Sequence, residues 1–487
     1  MIQEWNMECK TTFSTEAFEQ QKSAYIKDVK KAITLQGLIN QLWYTYGIEI
    51  MIFHESLIQH TPGSLLQLLE EINNKGTISI TIENIVQVVQ AIQPEKLHSG
   101  ILDIGDALLI PQTNTEGQQQ WLNKHYDALF EDRSKDVILF GFGRIGRLVA
   151  RTLIERMASK TFRLRAIVIR GSLDAAELEK RASLLRTDSV HGSCKAIIKV
   201  DYKNKSFIIN GIQIPVIAAD NPRKIDYTEY GIKNALVIDS SGAFRDKENL
   251  QRHLAAFGVS QVLLTAPGKG IPNIVFGVNH HNYNPDEDAI LSAASCTTNA
   301  IAPVLKAMHE TFGIVSGHME TIHAYTNDQN LVDNMHAKNR RGRAAALNMV
   351  ITETGAGKAI AKVLPELEGK LTSNAIRVPI PNGSLAILHL KLQTATNINA
   401  INAALRGYAF EGILGAQLQY EISDELVSSD IVGNNRCAVY DSKATIIDNS
   451  GHDVTLYIWY DNEYGYTQQV IRIAQMMCQP KYQHILQ

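Results

Sequence analysis

VILFGFGRIG, residues 137–146, decides the fold. Val137 to Phe140 form a short, continuous apolar run of the kind a buried strand uses. It leads directly into Gly141-Phe-Gly143-Arg-Ile-Gly146, after which Leu148, Val149, Leu153 and Ile154 recur at helical spacing. Glycines alone fit any tight turn between a strand and a helix. Strand, glycines and helix in that order make a dinucleotide fingerprint with a mechanism. The glycines let the backbone approach a pyrophosphate, and the helix amino terminus favours its negative charge.

The same fingerprint expects an acidic residue about 20 positions on, at the end of the second strand, to bind the ribose hydroxyls. That strand is expected at 164–169 and ends in Arg170-Gly171-Ser172; the nearest acid is Asp174. An arginine and a serine at this edge favour a 2′-phosphate, and so NADP or the use of both NAD and NADP. In the competing arrangement Arg170 points to solvent and Asp174 meets the ribose.

From Asp136 onward, short β-rich runs alternate with helical stretches, an α/β texture. Residues 1–135 read as a mostly helical extension. Apolar stripes at Ile26, Val29 and Ile33, at Leu65, Leu68, Leu69 and Ile72, and at Ile85, Val88, Val89 and Ile92 predict amphipathic helices. The second is bounded by Thr61-Pro-Gly-Ser64 and Lys75-Gly76. Asn114 to Gln120 is expected as a surface loop. The extension holds no catalytic motif; packing or assembly is its plainer role, a separate binding module the other.

The 487 residues allow two to four domains at about 100–200 residues each. With 47 basic against 50 acidic side chains, the chain has no electrostatic footprint for nucleic acid or an anionic membrane. Five scattered cysteines without a CxxC pair argue against a disulfide framework or structural zinc, so no metal is expected and reduced cytosolic thiols fit better. The first residues lack a basic-then-apolar leader. The apolar run Ile50–Phe53 is far short of the roughly 20 residues of a spanning helix. A cytoplasmic protein is expected.

Cys296 stands in Ser292-Ala-Ala-Ser-Cys296-Thr-Thr-Asn299, just before a helical pattern of Ile301, Val304, Leu305 and Met308 that ends near Gly313. A cysteine at a helix amino terminus is stabilised as thiolate, and its pKa is expected to fall. A structural cysteine more often lies within an apolar run, whereas hydroxyl residues flank this one.

SAASCTTNAIAP (292–303), together with FGRIGR (142–147), resembles glyceraldehyde-3-phosphate dehydrogenase. Further matches follow in the family's order, among them LLRTDSVHG (184–192), HAYTNDQNLVD (323–333), RRGRAAALNM (340–349) and WYDNEYGYT (459–467). The resemblance covers roughly 136–478. It implies an α/β Rossmann cofactor domain at about 136–296 and an α+β catalytic domain with a mixed sheet at about 297–464. A last helix at about 465–487 is expected to pack back on the cofactor domain.

The resemblance also implies roles. Cys296 is the expected nucleophile and His323 its partner base. Thr326, Asp328 and Arg377 would surround the phosphate of glyceraldehyde 3-phosphate. Ser295, Thr297, Thr354 and Gly355 would surround the attacking inorganic phosphate, with Arg377 near both. Gly141, Gly143, Arg144, Ile145 and Gly146 match the pyrophosphate turn, and Ser241 stands where the family usually has threonine. Asn462 would hold the nicotinamide carboxamide and Tyr466 would pack against its ring. A homotetramer of a phosphorylating enzyme is implied. Erythrose-4-phosphate dehydrogenase, on the same scaffold, and a catalytically vestigial NAD(P)-binding regulator are the alternatives.

Three features depart from the common pattern. Arg170-Gly171-Ser172 replaces the acidic residue after the second strand. Asn334-Met335 replaces the Leu-Pro or Gly-Pro pair of strictly NAD-dependent members, in a loop that reaches a neighbouring subunit's cofactor in the family. Both point to NADP tolerance. The N-terminal extension resembles that of a long bacterial subgroup.

Overall fold

The computed structural model describes residues 14–97, 100–126, 134–157 and 162–478. The chain divides into two compact units, Met1–Asp132 and Arg133–Gln487.

In the first unit, α1 (Thr15–Gln41) starts at Ser14, whose side chain accepts from the Ala17 N–H. Its stripe differs from the expected one. Ile26 and Ile33 are 43% and 53% exposed, and the helix buries Ala32, Leu35 and Ile39 in its second half. A period of 3.6 marks a helix, but the packing partners choose which of two neighbouring apolar rows is covered. The strands β1 (Ile48–Ile52) and β2 (Glu55–Ser56) form a hairpin. Then come α2 (Pro62–Gly76) and α3 (Ile82–Gln90), each opened by a threonine, Thr61 and Thr81, in a reciprocal capping box. The strand β3 (Gly100–Asp103) pairs in parallel with β1, so the extension contains a three-stranded sheet around the wholly buried Ile48–Ile52. After the short α4 (Gly105–Leu109), a further helix, α5 (Thr115–Tyr126), begins inside the stretch expected as a loop. The Asn114 side chain accepts from the Gly117 N–H at 2.9 Å, and the glutamines that follow are good helix formers.

The second unit begins with the expected strand, β4 (Lys135–Phe140), then α6 (Arg144–Glu155), β5 (Phe162–Ile169) and α7 (Ala175–Arg186). A two-residue ladder, β6 (Thr187–Asp188) with β7 (Gly192–Ser193), precedes the antiparallel β8 (Ile198–Asp201), β9 (Ser206–Ile209) and β10 (Ile212–Ala218). The strands β11 (Ala235–Asp239), β12 (Val259–Leu264) and β13 (Ile290–Ser292) complete the sheet, with α8 (Lys247–Leu254) between β11 and β12. Its order is β13-β12-β11-β4-β5-β10-β9-β8, parallel from β13 to β10. The sheet grows outward on both sides of β4. The crevice at such a switch point, beyond the strand carboxyl ends, is where doubly wound sheets bind ligands. This is a Rossmann-like cofactor domain.

The chain then enters α9 (Cys296–Phe312) and a mixed sheet of β14 (Ile314–Ala324), β15 (Val350–Thr352), β16 (Leu371–Val378), β17 (Ser384–Leu392), β18 (Leu418–Glu421), β19 (Ala438–Asp441), β20 (Ile446–Ile447) and β21 (Asp453–Tyr460). The strand β14 pairs in parallel with β16 and antiparallel with β17. The helices α9, α10 (Ala356–Val363) and α11 (Ile398–Phe410) share one core with the inward residues of that sheet, among them Met319, Leu388, Leu456 and Ile458. The last helix, α12 (Tyr464–Cys478), returns to the Rossmann sheet. Gln468 donates to Thr152 on α6 and Gln261 on β12 donates to the Met477 carbonyl. Residues 479–487 of the expected helix lie outside the described residues, as do the first thirteen, Cys9 among them.

Candidate active site

Three segments converge on one sulfur. The first is the amino terminus of α9, where Ser295 is the cap and its hydroxyl accepts from the Thr298 N–H at 3.0 Å. Just before it, Ala294 is held at φ +54°, a left-handed conformation that costs an L-residue about 1 kcal/mol or more. Its N–H donates to the Ser292 hydroxyl (3.0 Å) and its carbonyl accepts from the Tyr466 hydroxyl (3.1 Å), so both ends of the bent residue are tied. The bend aims Cys296, the first helical residue, into the site.

The second segment is the carboxyl end of β14. His323 Nε2 lies 3.6 Å from Cys296 Sγ, and His323 Nδ1 lies 2.7 Å from the Ala324 carbonyl. With the Nδ1 proton directed at that carbonyl, Nε2 is left to accept from the thiol. The third segment is β16, whose Arg377 is the register partner of His323. Arg377 Nη1 donates to the Ala324 carbonyl (2.9 Å) and to Thr326 Oγ1 (3.3 Å), and it sits 2.9 Å from His323 Nδ1.

Burial pushes the Cys296 thiol up and the His323 imidazolium down to about 3, with the nearby Arg377 charge further opposing the imidazolium. The lowered cysteine pKa expected from the sequence is therefore not what the surroundings impose on the thiol by itself. Moving its proton to Nε2 leaves the pair neutral overall. It also places thiolate at the amino terminus of a 17-residue helix and near Arg377, both of which favour it.

Tyr460, at the end of β21, was not singled out from the sequence. Its buried hydroxyl joins Thr297 Oγ1 (3.1 Å) to Thr321 Oγ1 (2.7 Å), and its ring lies edge-on to His323. It braces the nucleophile's helix against the base's strand. Arg341 is a second such residue. It ion-pairs with Asp328 and donates from Nε to Thr352 Oγ1 at 3.1 Å. Burial would raise the Asp328 carboxyl, but the Thr326 hydroxyl (2.5 Å) and the Arg341 and Arg377 charges hold it below the usual carboxylate range. The carboxylate thus sits among cations and does not repel an anion unopposed.

Cys296, His323, Arg377, Thr326 and Asp328 form one hydrogen-bonded cluster with Ser295 and Thr297 beside the sulfur. Thr354 and Gly355 lie past β15, the neighbour of the Arg377 strand, at the start of α10. Among the described residues neither bonds to Cys296, His323 or Arg377; the Thr354 hydroxyl accepts from the Ala356 N–H.

The glycine turn divides its labour. Gly141 has φ +97°, and a Cβ there would meet the Ser241 N–H at 2.5 Å. A Cβ on Gly146 would meet the Gly141 carbonyl at 2.2 Å, so the helix can lie this close to the strand only with glycine. A Cβ on Gly143 would meet nothing within 4 Å. That open cradle at the amino terminus of α6 fits a pyrophosphate, with Ile145 half-buried beside it. The Arg144 side chain points elsewhere, onto Asp188 and Glu463. Arg170 is exposed at the end of β5, while Asp174 caps α7 by accepting from the Glu177 N–H at 2.8 Å. Ser241 donates its N–H to Asp239 Oδ1 at the edge of the turn. Asn462 Oδ1 accepts from Ser384 Oγ (2.8 Å), which itself accepts from the Ala324 N–H, and this leaves Nδ2 to donate. Among the described residues no group of three His, Cys, Asp or Glu is gathered to hold a metal ion, and no helix is long and apolar enough to cross a membrane.

Comparison with known proteins agrees with this geometry. Residues 135–247 match the NAD binding domain of glyceraldehyde 3-phosphate dehydrogenase and 295–462 match its C-terminal domain. A glyceraldehyde-3-phosphate dehydrogenase-like protein of Pseudomonas aeruginosa is 45% identical over 90% of this chain and 97% of its own length. The glyceraldehyde-3-phosphate dehydrogenases of Streptomyces coelicolor and Geobacillus stearothermophilus are each 41% identical over 69% of this chain, covering 96% and 95% of their own lengths. An NAD-binding Rossmann domain, a cysteine aimed at a histidine from the next strand, and these matches agree: the chain belongs to the glyceraldehyde-3-phosphate dehydrogenase family of oxidoreductases.

Proposed function

We propose that the protein is a phosphorylating glyceraldehyde-3-phosphate dehydrogenase that uses NAD or NADP and works as a homotetramer. The observation that carries this reading is Cys296 Sγ at 3.6 Å from His323 Nε2, beside a guanidinium and two threonine hydroxyls suited to phosphate.

His323 Nε2 takes the thiol proton as Sγ attacks the aldehyde carbon, giving a thiohemiacetal on Cys296. The proton moves on to the new oxygen, and His323 removes it again as a hydride leaves the same carbon. A nicotinamide held beside Asn462 would supply the hydride acceptor. The resulting acyl thioester is attacked by inorganic phosphate; the C–S bond breaks, 1,3-bisphosphoglycerate departs and Cys296 regains its proton. Arg377 and Thr326, with Asp328 oriented by Arg341, hold the substrate phosphate. Ser295, Thr297, Thr354 and Gly355 receive the attacking phosphate. A bound cofactor would be held by Asn462 at its carboxamide, by Tyr466 at its ring and by Gly141, Gly143 and Gly146 at its pyrophosphate.

Arg170 supports NADP acceptance: it is exposed at the end of β5 with Ser172, while the Asp174 carboxylate is engaged as a helix cap. Oligomerisation is supported by the loop after Asp328, which exposes Leu331, Met335, Leu347 and Met349. Initial rates with glyceraldehyde 3-phosphate and erythrose 4-phosphate, each with and without phosphate, test the reading. Phosphate-dependent reduction with the three-carbon substrate is expected. Phosphate-independent turnover of the four-carbon sugar would assign the alternative enzyme, and no turnover at all a vestigial regulator.

A further inference from the structure

Asn462 is flanked in sequence by two buried carboxylates, Asp461 and Glu463, and the cofactor domain holds both. Asp461 Oδ2 lies 3.1 Å from His191 Nε2, while its Oδ1 accepts the Glu463 and Tyr464 N–H groups that open α12. Glu463 Oε1 accepts from Arg144 Nε. Arg144 is the first residue of α6, so the residue that presents the glycine turn also grips the neighbour of Asn462. Its guanidinium forks onto Asp188 at 2.8 and 3.1 Å. Asp188 accepts the Val190 and His191 N–H groups, closing the assembly from the cofactor side.

We propose that Arg144 and His191 are positioning residues that clamp Asn462 from both sides to the pyrophosphate turn, and that the His191 charge is the part of the clamp pH releases. The proposal rests on the reading of Asn462 as the nicotinamide ligand. The groups facing the His191 ring are Asp461, Asp188 at 3.4 Å, Glu463 at 3.9 Å, Arg144 Nη2 at 3.4 Å, Asn382 Nδ2 at 3.2 Å and the Tyr464 ring. With His191 protonated, two cations face three carboxylates; without that proton, one does. Burial works against the imidazolium, but the Asp461 hydrogen bond and the Asp461 and Glu463 charges lift His191 above the usual histidine range. The raised value sets the sign: the His191 charge is present below it and is lost as pH rises past it, while on the acid side protonation of Glu463, whose carboxyl burial pushes up, weakens the Arg144 arm.

NAD affinity measured by equilibrium titration in a Cys296→Ser background, which removes the thiol's own titration, reads the clamp directly. Parent protein is expected to bind more weakly as pH rises past the ordinary histidine range into the alkaline range. His191→Gln keeps a donor toward Asp461 without the charge; it is expected to bind roughly tenfold more weakly at neutral pH and to lose the alkaline fall. Parent-like affinity with the alkaline fall retained in His191→Gln would overturn the proposal. If that variant does not fold, a parent profile flat into the alkaline range overturns it instead. Asn462→Ala separates the two readings. If it binds normally, the assignment of Asn462 is wrong; if it is weakened while His191→Gln is not, only the clamp is.

Discussion

At the residue scale the chemistry depends on one proton crossing 3.6 Å. With His323→Asn the thiol has no acceptor, and burial, which pushes it up, acts unopposed by an imidazolium. Alkylation of Cys296 at neutral pH is expected to slow at least about tenfold and to recover only as pH rises past the ordinary thiol range; dehydrogenase activity should fall by about 10²–10⁴. Unchanged alkylation at neutral pH would mean that His323 does not activate the sulfur. Cys296→Ser is expected to abolish activity with NAD affinity near normal, since the sulfur lies outside the glycine turn. For the other end of the cofactor, Arg170→Asp should raise the NAD-over-NADP ratio of kcat/KM, and an unchanged ratio would remove Arg170 from the ribose. Cys296 and the glycines were legible because each is defined by its immediate neighbours. Tyr460 and Arg341 were not, although both stand inside quoted motifs. Their function is to join segments far apart in sequence, and no local pattern records a partner on another strand.

At the element scale, α9 shows how a helix tolerates a proline where the sequence pattern runs straight through it. Pro303 lies inside the helix and has no N–H for the carbonyl four residues back, that of Asn299. The Cys437 thiol donates to that carbonyl at 3.1 Å. Burial pushes Cys437 up to about 12, so it stays a protonated donor across the working range. Cys437→Ala would leave the carbonyl buried without a partner and is expected to cost about 1–3 kcal/mol in urea unfolding. Cys437→Ser, which keeps a donor, should cost less; equal losses would show that volume, not the donor, matters. The same contrast governs how well elements were read. The helix α2 was legible from threonine, proline and glycine at its ends, and α3 from its apolar stripe. The two- to five-residue strands β1 to β3 were not, because a short apolar run has no period of its own and becomes a strand only through β3, about 50 residues later.

At the scale of the whole molecule, the catalytic sheet has one apolar face and one of mixed character. One packs under α9, α10 and α11; alternation along the strands puts Ile322, Ile376, Ile387 and Trp459 on the other, half-buried and interspersed with Glu320, Asn374, His389 and Thr455. The loop after Asp328 adds Met335, 92% exposed, and Leu347, 83% exposed. Large apolar side chains exposed together in one loop are the kind of surface that chains bury against each other, which fits the proposed tetramer. On the proposed tetramer, light scattering is expected to return four times the chain mass. Replacing Leu331 and Met335 together by aspartate would place charge in the interface, where an unpaired carboxylate costs several kcal/mol, and should reduce the assembly to a smaller species. Because neither side chain belongs to the Cys296–His323 cluster, alkylation of Cys296 should persist in the smaller species. A native chain that sediments as a monomer, or a double variant of unchanged mass, would show that these side chains face water.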